Sequence, residues 1–429
     1  MATPSRHALD VLTRMLKDTS ITTLAKRLRP RIPNEHDPLP HGIPGKGDYS
    51  SEAMHARYKA LSEHGIATCE LARHLVDPAS LQGNIEHFIG MIQIPVGVIG
   101  PLRINGIAAH GDFFIPMATS EGALVASYDR GAKAVSLAGG VTVACIREVV
   151  TRAPCFVFTS MIDAGIFLAE AIPLFDVLAD VVRRTSRYCV LKDIRTTLAG
   201  KELFLHFDFS TGDAAGQNMV TLATEAVCRA LLSKTSITPE RWYIEGNMSG
   251  DKKATGLAFT SVRGKKVVAD ITVPKDIVRE VLLATPEEIH RYWEVAVVGG
   301  LQSASTGMQG HYANALAALF MACGQDVACI GEAAVGVTRM DVTREGDLYT
   351  SVTLPNLIVG TVGGGTHLPT ARECLGMLGC VGEGTASKFA EICAAVTLAG
   401  ELSICAALAK GHFSQAHATL GRKGGITLQ

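Results

Sequence analysis

Three absences narrow the field before any motif is read. The eleven cysteines form no CxxC pair and are scattered, many of them inside apolar runs, as at Cys323, Cys393 and Cys405. That excludes a disulfide framework and a zinc site and points to reduced, buried thiols in a cytoplasmic protein. No block of like charge occurs and the formal net charge is −1, so nucleic acid and anionic membrane surfaces are excluded as main partners. No GxxxxGK[ST] is present, and GEGTAS at Gly382 follows no βαβ pattern, so neither common phosphate loop is available. The first twenty residues carry charges throughout and read as no signal peptide. The longest apolar run, Phe389 to Ala409, contains Glu391 and Glu401 and is broken by Gly400, which makes it a buried helix rather than a membrane span.

What is present is apolar surface. The hydrophobic fraction is 47%, rich for a chain of 429 residues and suggestive of a subunit interface. Residues 1–83, with a helical stretch followed by a Pro/Gly-rich segment, read as an N-terminal helical arm. Residues 153–242 read β-α-β-β-α-β, the split βαβ or ferredoxin-like unit, with Leu203, Leu205, Phe207 and Phe209 alternating along one strand. The flanking segments, 84–152 and 255–429, are Gly- and Ala-rich with long apolar helices. The expected fold is therefore α+β: a large helix-rich mixed domain with a small ferredoxin-like domain inserted into it. Residues 243–254 link the two as a glycine-punctuated lysine loop, GNMSGDKK.

Several stretches carry candidate chemistry, each beside a plainer role. In FDFSTGDAAGQN a strand ends and a helix begins near Asp213; this suits a pyrophosphate or nicotinamide at a helix N-terminus, or a simple cap by Asp213. TSRY, after Arg183 and Arg184, is either a phosphate site or a solvated helix end. In MATSEGALVAS, Glu121 falls in the first turn of a helix starting at Thr119 or Ser120. A carboxylate there is a dipole partner, and an acid only if desolvation raises its pKa. Asp326 in ACGQDVAC lies in an apolar stretch and needs a cationic partner, unless it is only an N-cap. VGTVGGGTHLP allows close backbone approach to a ligand, or makes a tight turn. His417 in the C-terminal segment is a solvated residue or a proton donor on a closing flap.

Nine of these stretches in order — EHFIG, PVGVIGPL, TSEGALVAS, TSRY, GDAAGQNM, GNMSGDKK, HYANALAALFMACGQD, GTVGGGT and LAGELSICAALAKGH — resemble hydroxymethylglutaryl-CoA reductases, over about Asn84 to Arg422. The resemblance implies a four-electron, NADPH-dependent reduction of an acyl-CoA thioester to a primary alcohol, most simply hydroxymethylglutaryl-CoA to mevalonate plus CoA, in isoprenoid biosynthesis. It assigns Lys252 to the thioester oxygen and Glu121 to proton donation at that oxygen. Asp326 would link the two, and His417 would protonate the leaving thiolate. It further implies Asp213 and Asn218 at the nicotinamide, and Ser186 and Arg187 at a 2′-phosphate, favouring NADPH over NADH. Arg152, Asp251, Lys253 and Asn314 are implied on the acyl side, and His311 and Arg130 on the CoA side. No metal is implied. An obligate homodimer with shared sites, or a tetramer, is implied, with no membrane anchor.

Two departures bear on the acyl group. Glu245 stands where the family usually has serine before GN, and counting back from His311 puts Glu294 where it usually has a lysine that pairs the substrate's free carboxylate. They raise, as an alternative, the same chemistry on an acyl-CoA without a free carboxylate; a rival of another class is a non-catalytic CoA- or nucleotide-binding homologue, against which the retention of Glu121, Lys252, Asp326 and His417 together argues.

Overall fold

The structure, a computed structural model, describes residues 13–14, 16–30, 32–36, 39, 41–74 and 76–411. The expected roles of His417 and of everything beyond Gly411 lie outside the described residues. The chain divides into two compact units, Met1–Met91 and Ile92–Gln429.

In the first unit, helices α1 (Ile21–Leu28) and α2 (Ser51–Glu63) start where a serine side chain accepts from an early amide, Ser20 from Thr23 and Ser50 from Ala53. Such caps satisfy donors that the helix cannot. Arg57 on α2 is fully buried, and its guanidinium donates to the carbonyls of Pro44, Gly45, Asp48 and Phe88. One side chain thereby ties the loop at Pro44, Gly45 and Asp48 to the segment at Phe88.

The second unit is built on ten strands: β1 Val96–Gly106, β2 His110–Ala118, β3 Val141–Arg152, β4 Cys155–Val157, β5 Val190–Ala199, β6 Glu202–Ser210, β7 Arg241–Tyr243, β8 Gly264–Val273, β9 Val337–Val342 and β10 Leu348–Leu357. Its helices of eight or more residues are α3 (Leu124–Leu137), α4 (Met161–Ala171), α5 (Phe175–Thr185), α6 (Gln217–Lys234), α7 (Pro286–Gln302), α8 (Tyr312–Ala322), α9 (Pro369–Met377) and α10 (Ala386–Ala409). Two apolar clusters form. The smaller collects Phe156, Phe167, Leu203, Leu205, Phe207, Phe209 and the inner faces of α5 and α6. Its strands run β7-β4-β6-β5, all antiparallel, which is the order of a split βαβ sheet. The larger cluster surrounds β1, β2, β8 and β10 with α3, α8 and α10.

One strand serves both sheets. Over residues 141–149 β3 pairs with β1 and β8; over Val150–Arg152 it pairs with β6. Helix α10 is the spine of the larger cluster. Among the described residues it is the one helix long and apolar enough to cross a membrane, but it lies in the core. Its two carboxylates are buried and satisfied: Glu391 accepts from the amides of Ala108, Ala109 and Cys145, and Glu401 from those of Gly310 and His311 and from Thr338 Oγ1. Helix α3 crosses it so closely that a Cβ on Gly131 would lie 1.9 Å from the Ala399 carbonyl oxygen.

Three local expectations are corrected. The single helix expected across residues 163–186 is broken into α4 and α5 by a 3₁₀ turn at Ile172–Leu174, because Pro173 lacks the N–H that a continuous helix needs. Helix α6 begins at Gln217, not at Asp213, after a left-handed Gly216. Helix α3 begins at Leu124 after a left-handed Ala123, so Glu121 sits in the preceding turn rather than in a helical one.

Candidate active site

Two backbone segments meet to form a cleft. After β6, Thr211 Oγ1 donates to the Ala214 carbonyl and turns the chain into α6. Ala214 then makes a parallel bridge with Val362, and Thr361 N donates to the Asp213 carbonyl at 2.8 Å. A Cβ on Gly360 would lie 2.4 Å from Ala215 N, so only glycine permits this approach. The resulting cleft has a volume of about 480 Å³ and is lined by residues 214–219, Gly324 to Asp326, and the glycine loop 363–365. The sequence suggested DAAGQN, GQD and GGG as separate candidates; the structure brings them to one cavity.

Asp326 stands on the cleft's rim. Its Oδ2 is 2.8 Å from Lys252 Nζ, and its Oδ1 accepts from Ala328 N, so the pairing and the N-cap are both realised. The hydrogen bond that Lys252 donates to Asp326 raises the lysine pKa above its ordinary value. Partial burial pushes Asp326 upward, but the bonds from Lys252 and Ala328 outweigh it and hold the carboxyl below its usual range. Cys329, beside them, is pushed up to about 12 by burial and stays a thiol. A role at a thioester oxygen calls for a water-poor pocket, yet Lys252 and Asp326 are 42% and 43% exposed in the single chain.

The lysine's loop is held from below. Lys252 adopts a left-handed backbone, φ +57°, and its N–H donates to Glu332 Oε1. Glu332 is fully buried against Arg263, whose guanidinium also lies 2.8 Å from Asp251 Oδ1. Burial raises the Glu332 pKa, with Arg263 pulling against it. Arg152, at the end of β3, donates to Asp251 Oδ2 (2.7 Å) and Thr221 Oγ1 (3.0 Å) and lies 3.5 Å from Glu245 Oε2. Lys253 Nζ turns back to the Asp251 carbonyl at 3.0 Å.

The remaining candidates fall into groups. Asn314 Nδ2 donates to Glu121 Oε2 at 2.8 Å, joining α8 to the turn before α3. His311 Nδ1 is 3.1 Å from Glu401 Oε1, and Arg130 donates to Ser403 Oγ and O, so both are anchored on α10. Asn218 faces the cleft. Asp213 is a cap after all, though not of α6: its carboxylate accepts from Gly384 N and Ala386 N at the start of α10. Ser186 ends α5, and Arg187 reaches over the Tyr188 ring and donates to its hydroxyl, which donates to Glu383. Glu294 sits mid-α7, largely exposed, with its carboxylate 3.6 Å from His290 Nε2. Gln217, Arg263 and Glu332 were not singled out from the sequence. The signal that flagged Asp326, a charge in an apolar stretch, applies equally to Glu332 in IGEAAVG. Among the described residues no group of three or more His, Cys, Asp or Glu side chains is placed to hold a metal.

The family described as hydroxymethylglutaryl-coenzyme A reductase matches residues 53–422. The 3-hydroxy-3-methylglutaryl-coenzyme A reductase of Pyrococcus abyssi is 43% identical over 384 residues, covering 86% of this chain and 93% of that protein. The enzyme of that name from Haloferax volcanii is 37% identical over 410 residues, covering 94% of this chain and 100% of that protein. A solved class II 3-hydroxy-3-methylglutaryl-CoA reductase from Streptococcus pneumoniae, bound to NADPH, superposes with a TM-score of 0.63 at 17% identity, over 82% of this chain and 96% of that one; it speaks for the fold.

Proposed function

The chain belongs to the hydroxymethylglutaryl-coenzyme A reductase family, and on that premise we propose that it reduces hydroxymethylglutaryl-CoA to mevalonate and CoA with NADPH. The observation that carries this reading is the Lys252–Asp326 pair, 2.8 Å apart on the rim of the cleft that Asn218 lines.

The cleft fits a nicotinamide cofactor. Its lining is rich in glycine, and a Cβ built at Gly363 or Gly364 would meet nothing within 4 Å, so that side is open to a flat ring. Arg187, stacked on Tyr188 near the exposed Arg183 and Arg184, offers guanidinium donors to a 2′-phosphate. NADPH, when bound, supplies the hydride. Asn218 and the first turn of α6 orient the ring end, and Arg187 with Ser186 receives the phosphate end.

Lys252 then faces the thioester oxygen. Its raised pKa keeps it an ammonium, so it offsets negative charge on that oxygen without giving up its proton early. A preorganised cation of this kind is worth about 3 kcal/mol or more once water is excluded. Asp326 fixes the ammonium; on family resemblance, Glu121, bonded by Asn314, supplies a proton to the oxygen and His417 protonates the departing thiolate. Arg152, Asp251 and Lys253 hold the acyl chain; His311 and Arg130 hold the CoA side. A homodimer supplies the cover that the half-exposed Lys252 lacks in one chain, and the free thiols support a cytoplasmic setting.

NADPH oxidation with hydroxymethylglutaryl-CoA tests the reading. Two equivalents should be consumed per mevalonate formed, and Lys252→Ala should abolish turnover; binding without oxidation would overturn it. One observation favours a second acyl class: Arg152 is already met by Asp251 and Glu245, which suits an acyl group without a free carboxylate. Faster turnover of a neutral acyl-CoA would select it.

A further inference from the structure

Lys252 is held at both of its ends by one closed circuit of hydrogen bonds. Its backbone N–H donates to Glu332 Oε1 at 3.1 Å. The same oxygen accepts from Arg263 Nη1. Arg263 Nη2 donates to Gln217 Oε1 at 3.0 Å, and Gln217 Nε2 donates to Asp326 Oδ2 at 3.3 Å. That carboxylate oxygen lies 2.8 Å from Lys252 Nζ, which closes the ring.

Arg263 and Glu332 are 1% and 0% exposed, so this side of the ring is fixed in the core. Gln217 is its one neutral member, and its amide is the chemistry the position demands. Arg263 can only donate and the Asp326 carboxylate can only accept, so the link between them needs one acceptor and one donor on a single short group. Glutamate would serve Arg263 and repel Asp326. Methionine, of similar length, would serve neither. Gln217 also opens α6 and lines the cleft beside Asn218.

We propose that Gln217 is a positioning residue that holds Asp326 on the Lys252 ammonium and ties that pair to the wall of the cofactor cleft. The proposal rests on the reading of Lys252 as the group at the thioester oxygen. Without Gln217, whose Nε2 also donates to Cys329 Sγ at 2.9 Å, Asp326 keeps its bonds to Ala328 N and the Cys329 side chain but loses its tether to the buried arginine. Lys252 then loses a fixed counter-charge, and its amine spends more time free. The charged and titratable groups that bear on Lys252 are Asp326, Asp251 and Cys329; of these, Cys329 also bonds the Asp326 carboxylate, as a neutral thiol.

The test compares Gln217→Met and Gln217→Glu with the parent in two measurements on the full chain. In the first, lysine acylation is read by mass spectrometry without ligands, with Lys253, which is outside the ring, as internal control. Lys252 labelling should rise about tenfold relative to Lys253 in Gln217→Met, the loss of roughly one charge-assisted hydrogen bond. In the second, kcat at saturating NADPH and hydroxymethylglutaryl-CoA should fall about tenfold in both variants, while the KM for the acyl-CoA stays within about twofold. Gln217→Glu, close in shape, covers the case in which the methionine variant fails to fold. Labelling ratios and kcat within about twofold of the parent in the folded variants would overturn the proposal. If the parent itself does not turn over, the functional reading fails, and the labelling ratio alone still decides whether the ring holds the lysine.

Discussion

Replacing Glu245 by glutamine should make the enzyme bind its anionic acyl substrate more tightly. Around the lysine loop four cations, Arg152, Arg263, Lys252 and Lys253, meet four carboxylates, Glu245, Asp251, Glu332 and Asp326. The cluster is neutral before any ligand arrives, so a free carboxylate on the acyl chain brings one uncompensated charge. Glu245 is the member least well employed: its Oε2 sits at 3.5 Å from Arg152, and its buried Oε1 has no hydrogen-bond partner. A carboxylate docking at Arg152 would lie about 8 Å or less from Glu245. At an effective dielectric of about 20 that repulsion is about 2 kcal/mol. Glu245 is a quarter exposed, and screening reduces the figure to about 1–2 kcal/mol, or about five- to thirtyfold in KM. Steady-state kinetics with hydroxymethylglutaryl-CoA and with an acyl-CoA lacking a carboxylate reads this directly. Glu245→Gln should lower KM for the first, leave KM for the second unchanged and keep kcat within a few-fold. An increased KM for hydroxymethylglutaryl-CoA would show that Glu245 helps to bind substrate and would refute the charge argument.

Other outcomes follow from the same contacts. Glu332→Ala strips Arg263 of one of its two carboxylates in a fully buried setting and should destabilise the fold by about 3 kcal/mol in denaturant titration. Glu391→Gln turns an acceptor of three amides into a group that presents a donor to at least one of them, at about 2 kcal/mol in the same assay. The Lys252–Asp326 pair has a defined pH window. Asp326 is depressed below 3.8, so its share of the pairing is complete above that value and is lost as pH falls through the lowered pKa. Lys252 is raised above 10.5, so its share is complete below that value and is lost as pH rises through the raised pKa. A pH profile of kcat should therefore show no limb near neutrality from this pair, and Asp326→Asn should move the alkaline limb downward.

What was legible in the sequence was whatever local pattern fixes. The alternation at Leu203, Leu205, Phe207 and Phe209 is a buried face of β6. Asp326 announced itself as a charge in apolar surroundings, and its partner proved to be Lys252. What stayed hidden depends on residues distant in the chain. Asp213 has the look of a cap for the helix that follows it, yet its carboxylate serves amides at Gly384 and Ala386, because the bridge from Ala214 to Val362 carries it there. The start of α3 lies later than expected because Ala123, after Gly122, takes a left-handed backbone, and no composition rule marks that alanine. Gln217 lay inside a motif that was noticed, but its role needs Arg263 and Asp326, which only folding delivers to it.

Because β3 belongs to both sheets, Arg152 at its tip is bolted to the frame: a rocking motion of the smaller sheet about that point would have to break the backbone bonds from Val150–Arg152 to β6. The lysine segment has no such ladder beneath Lys252 itself: Gly246 N donates to the Ala153 carbonyl, and Lys252 is held through the Glu332 and Asp326 side chains. On the proposed assignment of both residues to the substrate, the arginine would be a stationary jaw and the lysine an adjustable one, and any tightening would be a movement of the latter toward the former.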